Sequence, residues 1–246
     1  MKKKVCLLLI VFILATASVY ADSGWVKWDY DMYTSFDNGL AQVGVQDGDV
    51  LKIGLINSSG KLVTPIKYSE IQDFHEGVAL VSVGKGRDNY KYGLIDTKGK
   101  ELTKMKYDYI GYQSDTLFPS QIGDKWGCLD KTGKEVIPFK YDDMYYYSGG
   151  VIFVGLNDKY GALDKEGKVV IPFIYDSYEG TSSNLAGVRL NYKSGGIDVR
   201  NGKTIIPFIY DDITMPMSGD EIMLGRIHET GWQTKIIKNP LVKGAK

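Results

Sequence analysis

The sequence predicts an all-β protein made of tandem repeats, and three observations carry the prediction. The glycines Gly54, Gly93, Gly127, Gly161 and Gly195 are separated by 39, 34, 34 and 34 residues, with similar residues around each. The apolar residues of each copy alternate along the chain instead of recurring at helical spacing. Each copy also carries a short turn that opens on Asp or Asn and closes on Gly. A unit of about 34 residues cannot bury its apolar face alone, so the copies must stack. The expected form is an open, twisted β-solenoid-like array of meander or hairpin repeats. A closed propeller-like ring is the alternative, because the chain begins and ends with complementary partial units. Such units are short beside propeller blades of roughly 40–45 residues.

The first 21 residues read as a secretory signal peptide and not as part of the fold. Lys2, Lys3 and Lys4 are followed by ten apolar residues, Val5 to Leu14, and then by small residues up to Ala21. The apolar run is shorter than the roughly 20 residues of a membrane span. Cleavage is expected after Ala21, or alternatively after Ala17. Residues 22–246 then form one domain with five main repeats and partial units at both ends. The full chain carries 30 basic and 30 acidic residues; removing residues 1–21 takes three lysines and no acid, which leaves an excess of three negative charges. That balance gives no reason to expect a nucleic-acid partner. Cys6 leaves with the leader, so Cys128 stands alone and has no disulfide partner. It takes the place of the small residues Ala162 and Gly196 of other copies, which predicts a buried structural thiol.

The best-matched copies run from Asp124 to Asp142 and from Asp158 to Asp176. In the third copy Ile137, Phe139 and Tyr141 share one face of an extended segment. Their equivalents are Thr64, Ile66 and Tyr68, then Thr103, Met105 and Tyr107, then Ile171, Phe173 and Tyr175, and finally Ile206, Phe208 and Tyr210. One constant face at period two describes a half-buried strand, and it makes the five tyrosines core residues. The turns Asn57–Gly60, Asp96–Gly99, Asp130–Gly133 and Asp164–Gly167 precede these strands, and the fifth, Asp198–Gly202, is one residue longer. Asx caps local N–H groups and Gly takes the positive φ. These turns lack the alternating ligands and distal Glu of a calcium loop. Pro65, Pro138, Pro172 and Pro207 cannot donate to a ladder and belong at edges. Lys104 stands there in the second copy, which is therefore expected to be the least regular. A third strand closes each unit, as in Gly77–Val83, Gly150–Val154 and Leu185–Leu190, giving about three short strands per repeat. Thr230–Ile236 resembles the first strand of a further unit.

These residues resemble the WG-repeat, or KWG-repeat, family of bacterial exported proteins. The signature is similar to Lys91–Asp96, Lys125–Asp130 and Lys159–Asp164, each with its Pro-containing strand and Tyr-Asp pair where present. Only Trp126 supplies the namesake Trp-Gly, while Ile53 and Ser194 replace the aromatic. The resemblance spans roughly residues 28–237. It implies an all-β protein of the envelope or exterior with a binding role and no enzyme chemistry.

The residues themselves point the same way. His75 and His228 have no metal spacing, and no Gly-x-Ser-x-Gly elbow or phosphate loop is present. Asp142-Asp143 and Asp211-Asp212 recur with the repeat, which fits structure better than catalysis. No cofactor is expected. The expected partner is a protein, with an envelope polysaccharide as the alternative and no membrane span after leader removal. The aromatics outside the repeat pattern, Tyr145, Tyr146, Tyr147 and Tyr178, are contact candidates. The five extra residues between Val83 and Tyr90 form an insertion, and repeat proteins place insertions on one face, often the binding face. Lys85, Arg87 and Asp88 are therefore candidates as well.

Overall fold

A computed structural model describes residues 29–84, 89–111, 117–147, 150–216 and 220–242, with backbone alone at 18–19, 26–27 and 146–147. Most of the expected leader, and the candidates Lys85, Arg87 and Asp88, lie outside the described residues. Among those residues there is no helix, and none therefore long and apolar enough to cross a membrane. The chain packs as two compact units, Met1–Asn89 with Ile95–Lys100, and Tyr90–Leu94 with Glu101–Lys246.

β1 (Ser18–Val19) and β2 (Val26–Lys27) form a short antiparallel ladder. In the first unit β3 (Met32–Tyr33), β4 (Leu40–Asp47) and β5 (Val50–Asn57) pair in that order. β6 (Glu70–Ile71), β7 (Val78–Val83) and β8 (Lys91–Asp96) make the next sheet. The second unit holds three complete four-stranded meanders. The first runs β9 (Tyr109–Ile110), β10 (Leu117–Ile122), β11 (Lys125–Asp130), β12 (Glu135–Tyr141). The second runs β13 (Asp143–Tyr147), β14 (Val151–Leu156), β15 (Lys159–Asp164), β16 (Val169–Tyr175). The third runs β17 (Ser177–Ser182), β18 (Leu185–Leu190), β19 (Lys193–Asp198), β20 (Thr204–Tyr210). β21 (Asp212–Thr214), β22 (Glu221–His228) and β23 (Gly231–Lys238) form a last sheet of three. Each of the six sheets is antiparallel and open.

Every sheet thus straddles two sequence repeats, and a short strand unexpected from the sequence opens each one, after Tyr-Asp or, for β6, after Tyr68-Ser69. The fourth strand forms fully only in the last three repeats. In the first two it is reduced to isolated bridges, at Ile53–Tyr68 and Ile56–Leu62 and at Tyr92–Tyr107. Loss of Pro is not the cause, because the first copy keeps Pro65. Thr64 and Thr103 stand where the complete sheets have Ile137, Ile171 and Ile206. Their hydroxyls accept the N–H groups of Leu55 and Leu94 at 2.8 and 2.9 Å, replacing ladder bonds with side-chain bonds.

The turns behave as their sequence requires. Asp130 Oδ1 accepts the N–H groups of Thr132 and Lys134, and Asp96 and Asp164 repeat the pattern two and four residues on. Gly133 has φ +80°, and a Cβ on it would lie 2.4 Å from the Leu102 carbonyl oxygen of the preceding copy. The same glycine therefore closes the turn and lets neighbouring copies touch. The repeat glycines serve packing instead. A Cβ on Gly127 would sit 2.6 Å from the Ile137 carbonyl oxygen, and one on Gly161 2.8 Å from that of Ile171.

Within the second unit the β13–β16 and β17–β20 sheets bury both faces. Ile152, Val154 and Leu163 pack on Cys128 and Ile137 of the preceding sheet, while Val151, Phe153 and Ala162 pack on Ala186, Val188 and Ile197 of the following one. Leu185 and Ile206 then pack on Ile213, Ile222 and Leu224. Tyrosine and phenylalanine rings of successive copies continue the stack, with Tyr141–Phe173 at 6.1 Å and Tyr175–Phe208 at 6.0 Å. Tyr68, Tyr107, Tyr141 and Tyr175 are buried, as the constant face requires. Tyr210 is only half-buried, and the Arg226 guanidinium lies 4.9 Å from its ring centre.

The final strand takes the place of the first strand of a further unit, as Thr230–Ile236 suggested. Val154 pairs with Gly161 and Val188 with Gly195, so by the same register Leu224 marks Lys235 as the repeat-glycine position. Gly231 is the first residue of β23, just after the turn at Glu229 and Thr230. Among the described residues β23 is the edge of its sheet.

Candidate functional site

Most periodic charges are spent on structure. In the second unit Lys91, Lys125, Lys159 and Lys193 each donate to one carboxylate oxygen of Asp108, Asp142, Asp176 and Asp211. The other oxygen of each Asp accepts an N–H from the next hairpin, from Gly123, Asn157, Tyr192 and Ile227. The lysine hydrogen bond, reinforced by this amide, holds all four carboxyls below the usual carboxylate range. The Tyr-Asp pair is therefore a joint between copies. Its first equivalent with serine departs from this: Ser69 bonds the backbone of Gly84 through its hydroxyl, and Lys52 turns to Asp47.

Residues that differ between copies gather near the hairpin ends of the second unit. Strand register lines up Tyr109, Gln121 and Trp126 in one sheet, Asp143, Gly155 and Tyr160 in the next, and Ser177, Arg189 and Ser194 in the third. Tyr109 and Trp126 meet edge to face at 5.7 Å. Gly155 leaves room for the Tyr160 ring to cross, and its hydroxyl donates to Asp143 Oδ2 at 2.6 Å. That bond, together with burial, pushes the Tyr160 phenol well above its ordinary range. The Tyr145 ring lies 6.3 Å from Tyr160 and 5.0 Å from Tyr178, and it is 43% exposed. Tyr178 in turn stacks on buried Phe153 at 4.4 Å.

In the third sheet Arg189 replaces Gly155. Its guanidinium donates to Glu179 Oε1 at 3.1 Å and to the Asp211 carbonyl at 3.1 Å, and the Ser194 hydroxyl donates to the same Oε1 at 2.9 Å. Glu179 Oε2 is buried without a hydrogen-bond partner. Burial raises the Glu179 pKa, against the pull of Ser194 and Arg189.

Of the sequence candidates, the fold brings Tyr145 and Tyr178 together. Tyr145 presents its ring outward, whereas Tyr178 is half-buried and belongs partly to the core. Tyr146 and Tyr147 pair through their backbones with Ile152 and Val151, and their side chains lie outside the described residues. Asp143, Tyr160, Glu179, Arg189 and Ser194 were not singled out by the sequence. Asp143 was hidden in a periodic acidic pair, and Tyr160 in the repeat aromatic. The one legible signal was Ser194, a departure from the aromatic position. The grouping offers an exposed aromatic face beside a carboxylate with one oxygen not used by Tyr160. Among the described residues no three His, Cys, Asp or Glu side chains are grouped as a metal would require.

Tandem antiparallel sheets cut to one pattern define a β-repeat domain. The profile of the WG containing repeat matches residues 53–86, 92–125, 126–160, 160–193 and 197–220, more than half of the chain. The chain belongs to the WG-repeat family. No curated protein matches it. Among solved structures it is similar to a eukaryotic initiation factor, at 10% identity and TM-score 0.46, over 82% of this chain and 66% of that one. It is also similar to Hsv2 of Kluyveromyces lactis, at 9% identity and TM-score 0.41, over 82% and 72%. A third likeness is to the extracellular domain of the putative one component system BT4673 of B. thetaiotaomicron, at 11% identity and TM-score 0.37, over 85% and 34%.

Proposed function

We propose that this WG-repeat protein is an exported, non-catalytic scaffold that binds another protein at the cell envelope or outside the cell. One observation carries the reading: the periodic charged and aromatic residues are consumed by joints and stacks, while the exposed Tyr145 ring stands beside Asp143 on the variable rim. Tyrosine suits such a role because it offers rigid amphipathic area at low entropic cost. Export rests on the charged and apolar layout of residues 2–21. A polysaccharide is the second reading, favoured by the same pairing of an exposed ring with a carboxylate acceptor. The test compares wild-type protein with Tyr145→Ala and Asp143→Asn, each checked for folding by circular dichroism. Each is run in a pull-down from envelope extract and in sedimentation with purified cell-wall polysaccharide. A protein retained by wild type and lost from both variants supports the proposal. Tyr145-dependent sedimentation with polysaccharide replaces it with the second reading, and binding indifferent to both substitutions removes the rim from the account.

A further inference from the structure

The first sheet begins as if another sheet stood before it. The Asp31 N–H donates to the Gly44 carbonyl at 2.9 Å, and Asp31 Oδ2 accepts the Gln46 N–H at 2.6 Å. Asp142 does the same with Gly155 and Asn157, at the same spacings along the chain. Tyr30 packs against Ala41, Val43 and Ile56, whose equivalents Ile152, Val154 and Leu163 receive Tyr141. Tyr30 and Asp31 thus stand as the end of a fourth strand and its joint. The residues before them continue the pattern: Val26, Trp28 and Tyr30 have the spacing of Ile137, Phe139 and Tyr141. The joint is half made, however. Asp142 also holds Lys125, whereas among the described residues no lysine is paired with Asp31.

The last sheet ends as if another strand should follow. β23 has eight residues, no Pro and, among the described residues, no strand outside it. The outer strands β12, β16 and β20 each carry a proline, Pro138, Pro172 and Pro207, a device against pairing along a sheet edge. With Lys235 at the repeat-glycine position, Gln233 stands where Lys125 does, Thr234 where Trp126 does and Ile236 where Cys128 does. The described array thus has a fourth-strand sequence with no sheet before it and, in β21–β23, a sheet with no fourth strand.

We propose that residues 25–31 of one copy complete the β21–β23 sheet of a second copy. In the single chain β23 is an edge and β2 pairs with β1 over two residues. So short a ladder is marginal beside an eight-residue edge. By the register of β11 with β12, Val26 falls opposite Ile236 and Tyr30 opposite Thr234. Asp31 then lies beside Gln233, whose amide can donate in place of the lysine. Two departures from the repeat grammar agree with this pairing. Lys235 replaces the glycine that admits the close approach of the Ile137 carbonyl, and Lys27 replaces a proline that cannot donate, so a plain ladder can form. Lys235 is exposed, and salt screens its repulsion of Lys27. Main-chain bonds along the added strand supply the affinity. Each copy gives at one end and receives at the other, so contacts run head to tail and can extend beyond a dimer. This inference does not depend on the ligand proposed for the rim.

Sedimentation velocity of the purified protein, from low to high micromolar concentration, tests it. Reversible association that passes the dimer is expected. Trp28→Ala should weaken it at least about tenfold with circular dichroism unchanged. Tyr33→Ala, at an exposed position outside the donated segment, should leave it intact. Covalent trapping identifies the contact. A protein carrying Val26→Cys is mixed under oxidising conditions with a protein of different mass carrying Ile236→Cys. A disulfide between the two, absent when either is mixed with wild type, is expected. A protein monomeric at every concentration overturns the proposal, and so does association that Trp28→Ala leaves unaltered. A chain carrying both cysteines that forms the disulfide only within itself overturns it as well, because the segment then completes its own sheet.

Discussion

Replacing Gly127 and, separately, Gly93 by alanine asks whether the repeat glycine is required by its backbone neighbours or only by its side-chain neighbours. Distance alone ranks the two the wrong way round. A Cβ on Gly93 would come within 2.3 Å of Met105 Cε and 2.6 Å of Met105 Sδ, the closest approach of any repeat glycine. A Cβ on Gly127 would come within 2.6 Å of the Ile137 carbonyl oxygen and 3.0 Å of the Phe139 backbone nitrogen. Neither glycine has a positive φ, so backbone conformation adds no penalty. Met105 is half-buried and unbranched, and its terminal methyl can swing aside. The Ile137 carbonyl belongs to a strand paired with β11 at Cys128 and cannot move without disturbing that pairing. Overpacking against a fixed neighbour costs about 1–3 kcal/mol, and alanine returns about 0.4–1 kcal/mol through the unfolded chain. Gly127→Ala should therefore lose about 2 kcal/mol and Gly93→Ala less than about 1 kcal/mol. Urea unfolding followed by far-ultraviolet circular dichroism measures both, with midpoint shifts converted through the slope. If Gly93→Ala proves as damaging as Gly127→Ala, the distinction between fixed and movable neighbours is wrong here.

Three further outcomes are expected. Asn239 is fully buried, with Nδ2 donating to the Ser182 carbonyl at 2.8 Å and Oδ1 accepting from Leu241 at 2.9 Å; Asn239→Ala should cost about 1–3 kcal/mol in the same unfolding assay. Because burial raises the Glu179 pKa, the folded state holds that proton more tightly than the unfolded chain. Its contribution is full below the ordinary glutamate pKa and is lost as pH rises through the folded value. Thermal midpoints should thus show wild type losing ground to Glu179→Gln between acid and neutral pH, and a difference constant with pH would contradict the assignment. Cys128 is completely buried, and burial pushes its thiol up to about 12, so a thiol reagent should label native protein far more slowly than denatured protein.

What could be read from the sequence was what local backbone geometry fixes. The Asx–Gly turns, the constant face of Ile137, Phe139 and Tyr141, and the burial of Cys128 each follow from a few adjacent residues. The phase of the sheets was not legible, because it depends on which strands pair across a repeat boundary. Lys104 drew attention as the irregularity of the second copy, yet Thr64 and Thr103 decide where the fourth strand weakens, through bonds nine residues away along the chain. The first strand of a further unit was legible at Thr230–Ile236, but that Lys235 stands at the repeat-glycine position follows only from register. At the candidate site Tyr145 stood out by breaking the pattern. Its companions did not, since Asp143 and Tyr160 occupy repeat positions and acquire meaning only from the room left by Gly155.

The double-handed aspartates bear on how such a chain changes length. Lys125 and Asp142 lie within one copy, whereas Asp142 and Asn157 reach into the next. Copying any window of one full period, wherever its ends fall, therefore reproduces a lysine, an aspartate and a receiving hairpin in the correct order. Recombination between misaligned copies would yield a longer or shorter array with every joint intact, and crossover points need not respect the sheets. The interior is in that sense indifferent to reading frame at the level of architecture, and the departures at its margins, Ser69 and Lys235, are where that freedom stops.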